Sequence, residues 1–484
     1  MMISKNRLNF LKNNNFHNLA IFSIFLIFFS IFYYMSISKI NNFSVTFYDT
    51  GYYANILQND LVKDKIFLST HLSFILIPLS YLLKIFPGNI LYQLIIIQII
   101  CGLIPIFFLK RNYFLIFSYI LCPLVCFNLL PNFHIDIFAI PLIWFLLKSN
   151  DEHNFKKFLI FSIILISIKF IFSLIIFGIV LFNYFENKKF KINKYYSYVI
   201  SILFLYFLIV LYYYFSFETI GDELLSFKTE LSTHKLLAIK FIDIFLLFLV
   251  CFGYFLFLPI LKSKHFLIII PLFFVYSISP NNLNLIKFYY HYTIPLIPVI
   301  FYSINNSLNK SNFNNFNLFG KIKNFKISKK FFLINFLIFN TLFSPSPFSL
   351  IFWKDYNYFY SKNNYKIIKE NIQTHKNVNE KLNLLNNKKN IVIENNLIFK
   401  NLFEHNIKVF PDIIFETKDL KKEADFIFLR MKGPYFLSDQ ICLDDDMKCQ
   451  NTKFKNLYNE NLDKLANYEI FFKDKNIKVL KKKY

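Results

Sequence analysis

Acidic residues are scarce in most of this sequence. Only 12 Asp or Glu fall within the first 349 of 484 positions, and none sits unambiguously in the middle of an apolar run. That argues against a proton- or ion-coupled carrier, which usually keeps carboxylates near the bilayer midplane. Glycine is also rare, and no glycine-rich phosphate loop occurs. There is no Cys/His set with zinc spacing and no internal repeat, so neither a metal nor a cofactor is specified; a divalent metal stays open without a motif for it. The first apolar run is not followed by a small-residue cleavage pattern, which excludes a removable leader of the usual kind.

What the sequence has in abundance is apolar and aromatic surface. With 67 Phe, 31 Tyr and 55% hydrophobic residues, it exceeds what one soluble core could cover with polar groups. Its mean hydropathy is +0.41. The expected fold is an α-helical polytopic membrane protein with about 11 membrane segments. The formal charge of +24 partly reflects a composition rich in Phe, Ile, Asn and Lys, as in low-GC genomes. It is therefore not read as a nucleic-acid footprint.

Leu19 to Ser38 reads as an uncleaved signal anchor behind Lys5, Arg7 and Lys12. Further expected spans are 90–109, 113–130, 133–148, 158–169 with 170–184, 195–216, 241–261, 265–279, 291–307 and 330–347. If Asp49 is external and 71–86 lies in the interface, 20 basic residues of positions 1–349 fall inside and 9 outside. The segment 39–89 is then an external first loop with an interfacial helix. The apolar stretch 158–182 is either one span or a broken pair of short helices with Lys169 at the outer tip. Both versions leave a cation that needs an anionic partner.

Residues 350–484 become polar and mixed, and are expected outside as a small soluble α/β domain. "NIVIENNLIFKNLFEHNIKVFP" reads as strand, helix, strand, "ADFIFLR" as a buried strand, and "YEIFFKDKNIKVLKK" as a closing hairpin. Cys442 and Cys449 flank "LDDDMK" in this domain, and two thiols so close in an oxidising compartment favour a local disulfide. Cys101, Cys122, Cys126 and Cys251 lie in the membrane part.

With this topology, the polar residues that are odd for their surroundings gather on the outer face: Asp49, His71, His134 and Asp136 in "PNFHID", Lys169, and Lys287 with His291 in "KFYYHY". Each also has a plainer role. Asp49 could be a solvated turn acid, His134 and Asp136 could cap the next helix, and His71 and His291 could sit in the headgroup layer.

The ordered stretches "FYDTGYYANIL", "STHLSFILIPLSYLL", "LLPNFHIDIFAIPL", "SIKFIFSLIIFGIVLF", "YYHYTIPLIPVIF" and "IVIENNLIFKNLFEHNIKVFP" with "ADFIFLR" resemble the bacterial membrane proteins grouped as domain-of-unknown-function family 2079. That family in turn looks like the glycosyltransferase-C superfamily. The resemblance implies a multi-pass protein of the bacterial inner membrane, with a cytoplasmic N-terminus and an extracytoplasmic C-terminal domain. It implies transfer of a sugar from a polyprenyl-phosphate donor to an extracytoplasmic acceptor, with membrane lipids as partners and no nucleic acid. It makes Asp49 the first-loop acid and general base. His71, His134, Asp136, Lys169, His291 and Tyr292 would bind substrate, and Lys287 joins them from its place near His291 on the outer face. Phe170 and Ile171 stand where acids usually follow the Lys, and Ala54 stands where a second acid often follows the first. The alternative is a non-catalytic lipid or glycolipid transporter.

Overall fold

The computed structural model describes residues 2–41, 50–59, 73–109, 112–130, 133–186, 199, 201, 203, 205, 233–262, 264–278, 287–288, 291–310, 329–345, 349, 365–385, 388–394, 397–410, 424–430, 465–475 and 477–483. The chain is mostly helical and ends in a small sheet.

Helix α1 (Met2–Asn41) is long because nothing in it breaks a helix, and its apolar part leaves Leu19, Phe22, Leu26 and Ile31 exposed. The next helices are α2 (Tyr52–Gln58), α3 (Leu76–Ile85) and α4 (Ile90–Leu103). They are followed by α5 (Tyr113–Ile120), α6 (Pro123–Leu129), α7 (Ala139–Asp151), α8 (Phe155–Ile168) and α9 (Ser173–Glu186). Asparagine begins three of them: Asn89, Asn112 and Asn154 accept from the amides of Leu91, Leu115 and Lys157. These contacts satisfy amides that a helix start leaves open. Proline begins others, with Pro78, Pro123 and Pro141 in first turns, where a missing amide costs nothing.

The later helices are α10 (Thr233–Phe252), α11 (Leu258–Lys262), α12 (Ile270–Ile278), α13 (Leu296–Lys310) and α14 (Lys329–Phe343). Contacts sort the ends of the bundle into two sets. At the lower end His17 hydrogen-bonds the Tyr113 hydroxyl at 2.7 Å. Also there, Asp151 accepts from Tyr302 at 2.5 Å and from Asn306 at 3.3 Å, with His265 at 3.7 Å. The amides of Asn150 and Asn183 pair, so α9 returns to the level where α8 began. The stretch 158–182 is thus a helical hairpin whose tip is Lys169. Gly178 lets α9 lie against the 3-10 turn at 264–269, since a Cβ there would overlap the Ile268 carbonyl oxygen.

Among the described residues two helices are long and apolar enough to cross a membrane by length and composition: Phe16–Asn41, 26 residues, and Ile90–Phe107, 18 residues. Among the described residues, the expected series of about 11 segments is therefore not seen as single long helices. The reason lies in local breaks. Cys122 is extended ahead of Pro123, splitting 113–130. Leu256 and Phe257 adopt left-handed backbone with φ of 51° and 60°, ending the segment expected at 241–261. A bond from the Phe257 amide to the Phe252 carbonyl closes that turn. Most of 195–216 lies outside the described residues. Within the stretch 71–86, expected to lie in the interface, the structure forms the ten-residue α3, which exposes Ile77, Tyr81, Leu82 and Ile85 and buries Leu76, Leu79 and Leu83.

In the C-terminal part, α15 (Tyr365–Asn383) precedes strands β1 (Asn390–Glu394), β2 (Asn406–Phe410), β3 (Phe426–Arg430), β4 (Tyr468–Lys473) and β5 (Ile477–Lys482). The sheet order is β2-β1-β3-β5-β4. The first three strands are parallel and β5 is antiparallel to both neighbours. The helix expected between β1 and β2 is only a 3-10 turn at Lys400–Glu404, and the longer α15 packs against it. Asn89 Nδ2 donates to the Lys400 carbonyl at 2.7 Å, and Lys400 lies over the Tyr92 ring. The sheet domain therefore sits at the upper end of the bundle, against the end of α2 at Asn59 and the start of α4 at Asn89.

Candidate functional site

Lys169 ends α8 in extended backbone, φ −153° and ψ 142°, before a 3-10 turn at Phe170–Phe172. That break is stitched to the start of α3. Ser73 Oγ donates to the Ile168 carbonyl at 2.8 Å, and the Ile75 amide donates to Ser167 at 3.1 Å. Freed from the helix, the Lys169 side chain reaches Asp136, with Nζ 3.0 Å from Oδ2.

Asp136 lies in a 3-10 turn, Ile135–Phe138, whose Ile135 and Ile137 anchor it in the core. The residue is 2% exposed. His291 Nε2 is 3.6 Å from the same oxygen, an ion pair when the imidazole is charged. Oδ1 is buried with no hydrogen-bond partner. A buried carboxylate oxygen left unmatched is costly and marks a place where a donor fits.

The two histidines stack, with ring centroids 3.5 Å apart and planes 22° from parallel. Tyr53 meets His134 and Phe133 edge-on. Thr50 Oγ1 accepts from the Phe133 amide at 2.8 Å, which ties the end of "FYDTGYY" to "PNFHID". Tyr292 lies 5.8 Å below Lys169 Nζ, within cation-π range. Tyr276 on α12 donates to the Tyr292 carbonyl at 3.0 Å. Asn128 Nδ2 donates to Thr293 Oγ1 at 3.1 Å, and Gln98 Nε2 donates to the carbonyls of Asn128 and Leu130.

Of the residues singled out from sequence, His134, Asp136, Lys169, His291 and Tyr292 therefore converge. Helix capping does not account for the first two: His134 makes no cap bond, and Asp136 spends one oxygen on Lys169. The headgroup-layer role does not fit His291, whose side chain is 13% exposed and stacked on His134. Lys287 interacts electrostatically with Asp243 on α10. Asp49, His71, Cys442 and Cys449 lie outside the described residues; the four other cysteines are buried free thiols. No group of three or more His, Cys, Asp or Glu among the described residues is arranged to hold a metal ion.

Sequence reasoning missed Thr50, Tyr53, Ser73, Gln98 and Tyr276. Gln98 carried a usable signal, being an amide within the apolar "LIIIQIICGL", where it must find partners. Thr50 and Ser73 are small hydroxyls in loop-like sequence, and only their carbonyl and amide partners reveal them.

Comparison with known proteins finds no matching family model, no matching curated protein and no matching solved structure.

Proposed function

We propose that this chain is a multi-pass protein of the bacterial inner membrane that transfers a sugar from a polyprenyl-phosphate donor to an extracytoplasmic acceptor, in the manner of the glycosyltransferase-C superfamily. The observation that carries this reading is the buried Asp136, one oxygen shared by Lys169 and His291 and the other without a partner. Three separate chain segments contribute to that cluster, and a cluster of polar groups so enclosed in apolar packing is costly unless a polar ligand uses it.

In this reading Asp49, adjoining the anchored Thr50, takes the proton of the acceptor hydroxyl as it attacks the anomeric carbon. The C–O bond to the phosphate breaks, and charge grows on the lipid phosphate. Lys169 and the imidazoles of His134 and His291, when protonated, stabilise that charge. A phosphate would share Lys169 Nζ with Asp136, while Asp136 Oδ1 would accept from a sugar hydroxyl. The exposed apolar face of α3 would lie in the headgroup layer with Tyr81 at its polar boundary. His71, Lys287 and Tyr292 would line the donor path.

The test is a screen of the purified full chain in nanodiscs with lipid-linked sugars. Asp49→Asn should lower turnover by roughly 100-fold or more with donor binding largely intact, because the shape is kept and the proton acceptor removed. Full activity of that variant, or no consumption of any lipid-linked sugar by the native chain, would favour the rival reading of a non-catalytic lipid or glycolipid transporter.

A further inference from the structure

Helix α9 is apolar on two faces. Ile175, Ile176 and Ile179 are buried in the bundle, whereas Leu174, Phe177 and Leu181, spaced three and four apart, share another face. With Ile270, Phe274 and Val275 of α12 that face forms a groove of about 400 Å3. Every side chain lining it is apolar, and Phe177, Ile270 and Phe274 are exposed along its mouth. Behind it, α9 meets the backbone of Ile268 at Gly178.

The two ends of the groove differ. At the upper end, Leu174 follows Lys169 after the single 3-10 turn Phe170–Phe172. On the opposite wall Val275 adjoins Tyr276, whose hydroxyl donates to the Tyr292 carbonyl at 3.0 Å, and the Tyr292 ring lies 5.8 Å from Lys169 Nζ. Both walls therefore lead to the cationic side of the Asp136 cluster. At the lower end Phe182 stacks on His265 with ring centroids 4.8 Å apart, and His265 is 3.7 Å from Asp151, so the groove ends on the lower polar set.

In a bilayer an apolar hollow fills with hydrocarbon, because an empty one forfeits the contacts of its lining. Direction and size decide which hydrocarbon. Leu174 to Leu181 spans two helical turns, about 10 Å, within the depth of about 15 Å of one leaflet. A lipid of the outer leaflet carries its head above its chain, the same order as the cationic cluster above the groove. The volume is near the lower end of the roughly 300–1,000 Å3 that holds one small ligand. That suits one chain and not the two of a bilayer phospholipid. Lys169, joined by His134 and His291 when protonated, selects an anionic head.

We infer that the α9–α12 groove holds the head-proximal part of the hydrocarbon chain of a single-chain lipid phosphate whose phosphate sits at Lys169. The inference rests on the proposed function for the position of that phosphate. Only about two helical turns of protein touch the chain, and the remainder of a long carrier stays in the bilayer. Recognition therefore reads the charge and the first part of the chain, not its full length. Its strength comes from packing and charge, since lipid is as apolar as the groove.

The experiment uses the full chain in nanodiscs of phosphatidylethanolamine and phosphatidylglycerol. The probe is geranylgeranyl phosphate with a diazirine at its chain end, short enough for that end to lie within the groove. After irradiation, peptide mass spectrometry locates the label. Labelling is expected within residues 174–182 and 267–275. Unlabelled geranylgeranyl phosphate and a longer polyprenyl phosphate should compete equally, whereas geranylgeraniol, which lacks the charge, should not. Phosphatidylglycerol with a diazirine in one acyl chain should instead label the exposed apolar faces of α1 and α14. Leu174→Trp and Leu181→Trp place bulk at the two ends of the groove, both at part-exposed positions. Each should lower groove labelling by about 10-fold, the penalty of forcing a chain into space already filled. Thermal unfolding checks that each variant is folded, and either one alone suffices. Groove labelling by the phosphatidylglycerol probe that geranylgeranyl phosphate does not displace would make the occupant ordinary bilayer lipid and overturn the inference. Prenyl labelling only elsewhere, or undiminished in the folded Trp variants, would do the same. Because the probe carries no sugar, groove labelling without any sugar transfer would leave the inference standing and defeat the enzyme reading. Consumption of a lipid-linked sugar without groove labelling would do the reverse.

Discussion

Lys169 Nζ and Asp136 Oδ2 meet at 3.0 Å, joining the tip of the α8–α9 hairpin to the 3-10 turn ahead of α7. The pair explains why a lysine is kept inside "ISIKFIF": the helix breaks at Lys169, and the released side chain finds the carboxylate that its burial demands. It also explains why Asp136 is not a helix cap.

Removing one member of this pair should be worse than removing both. Lys169→Met leaves a buried carboxylate, and Asp136→Leu leaves a half-buried ammonium, so each should lose about 3–5 kcal/mol of stability. The double variant Lys169→Met with Asp136→Leu should recover most of that loss, since similar-sized apolar groups replace a costly ion pair. Thermal unfolding in one detergent measures all three. Strict additivity of the two losses would mean that the residues do not interact.

Thr50 anchors the first loop through one acceptor. Thr50→Val keeps the shape and leaves the buried Phe133 amide without a partner, which should cost about 1–3 kcal/mol, whereas Thr50→Ser should cost much less. Thermal unfolding compares the two. Hydrogen exchange at the Phe133 amide should rise in the valine variant alone.

Gly178 is where α9 passes closest to the 264–269 turn. Gly178→Ala should destabilise the chain by about 1–3 kcal/mol, because the obstruction is backbone and cannot rotate away. Gly88 offers the contrasting case: its φ of 143° makes Gly88→Ala strained by conformation, although a Cβ there meets only the flexible Gln93 side chain. Thermal unfolding of the two variants, with the Gln93→Ala background as a control, separates crowding from conformation.

The charge pattern predicts opposite sides for the two ends of the bundle. Impermeant labelling of single cysteines at Lys110, Lys189 and Lys323 should require opening of the cell membrane, while cysteines at Lys388 and Lys475 should label from outside. Labelling of the sheet domain only after opening would reverse the arrangement and remove the extracytoplasmic site.

Much of the architecture is legible in composition and local pattern. Apolar content sets a helical body, the short apolar runs in "NIVIE" and "FIFLR" and the hairpin around "IKVLKK" mark strands of the terminal sheet, and proline or asparagine marks several helix starts. These are local effects, decided by neighbours in the chain. Where apolar runs break was harder to read. Pro123 was a visible signal, but Leu256 and Phe257 take left-handed backbone with no glycine to announce it. The turn lies where α10, α11 and α14 meet, so the signal for it is in contacts between segments and not in the local sequence. The site divides in the same way. That Lys169 required an anion followed from its apolar surroundings, and His134, Asp136 and His291 stood out as polar residues beside expected spans. Which anion it takes, the stacking of His134 on His291, and the unmatched Asp136 Oδ1 depend on distances between segments far apart in sequence. Those distances are set by side-chain packing at contacts such as Ser73 with Ile168 and Thr50 with Phe133, whose short polar groups look ordinary until their partners are adjacent.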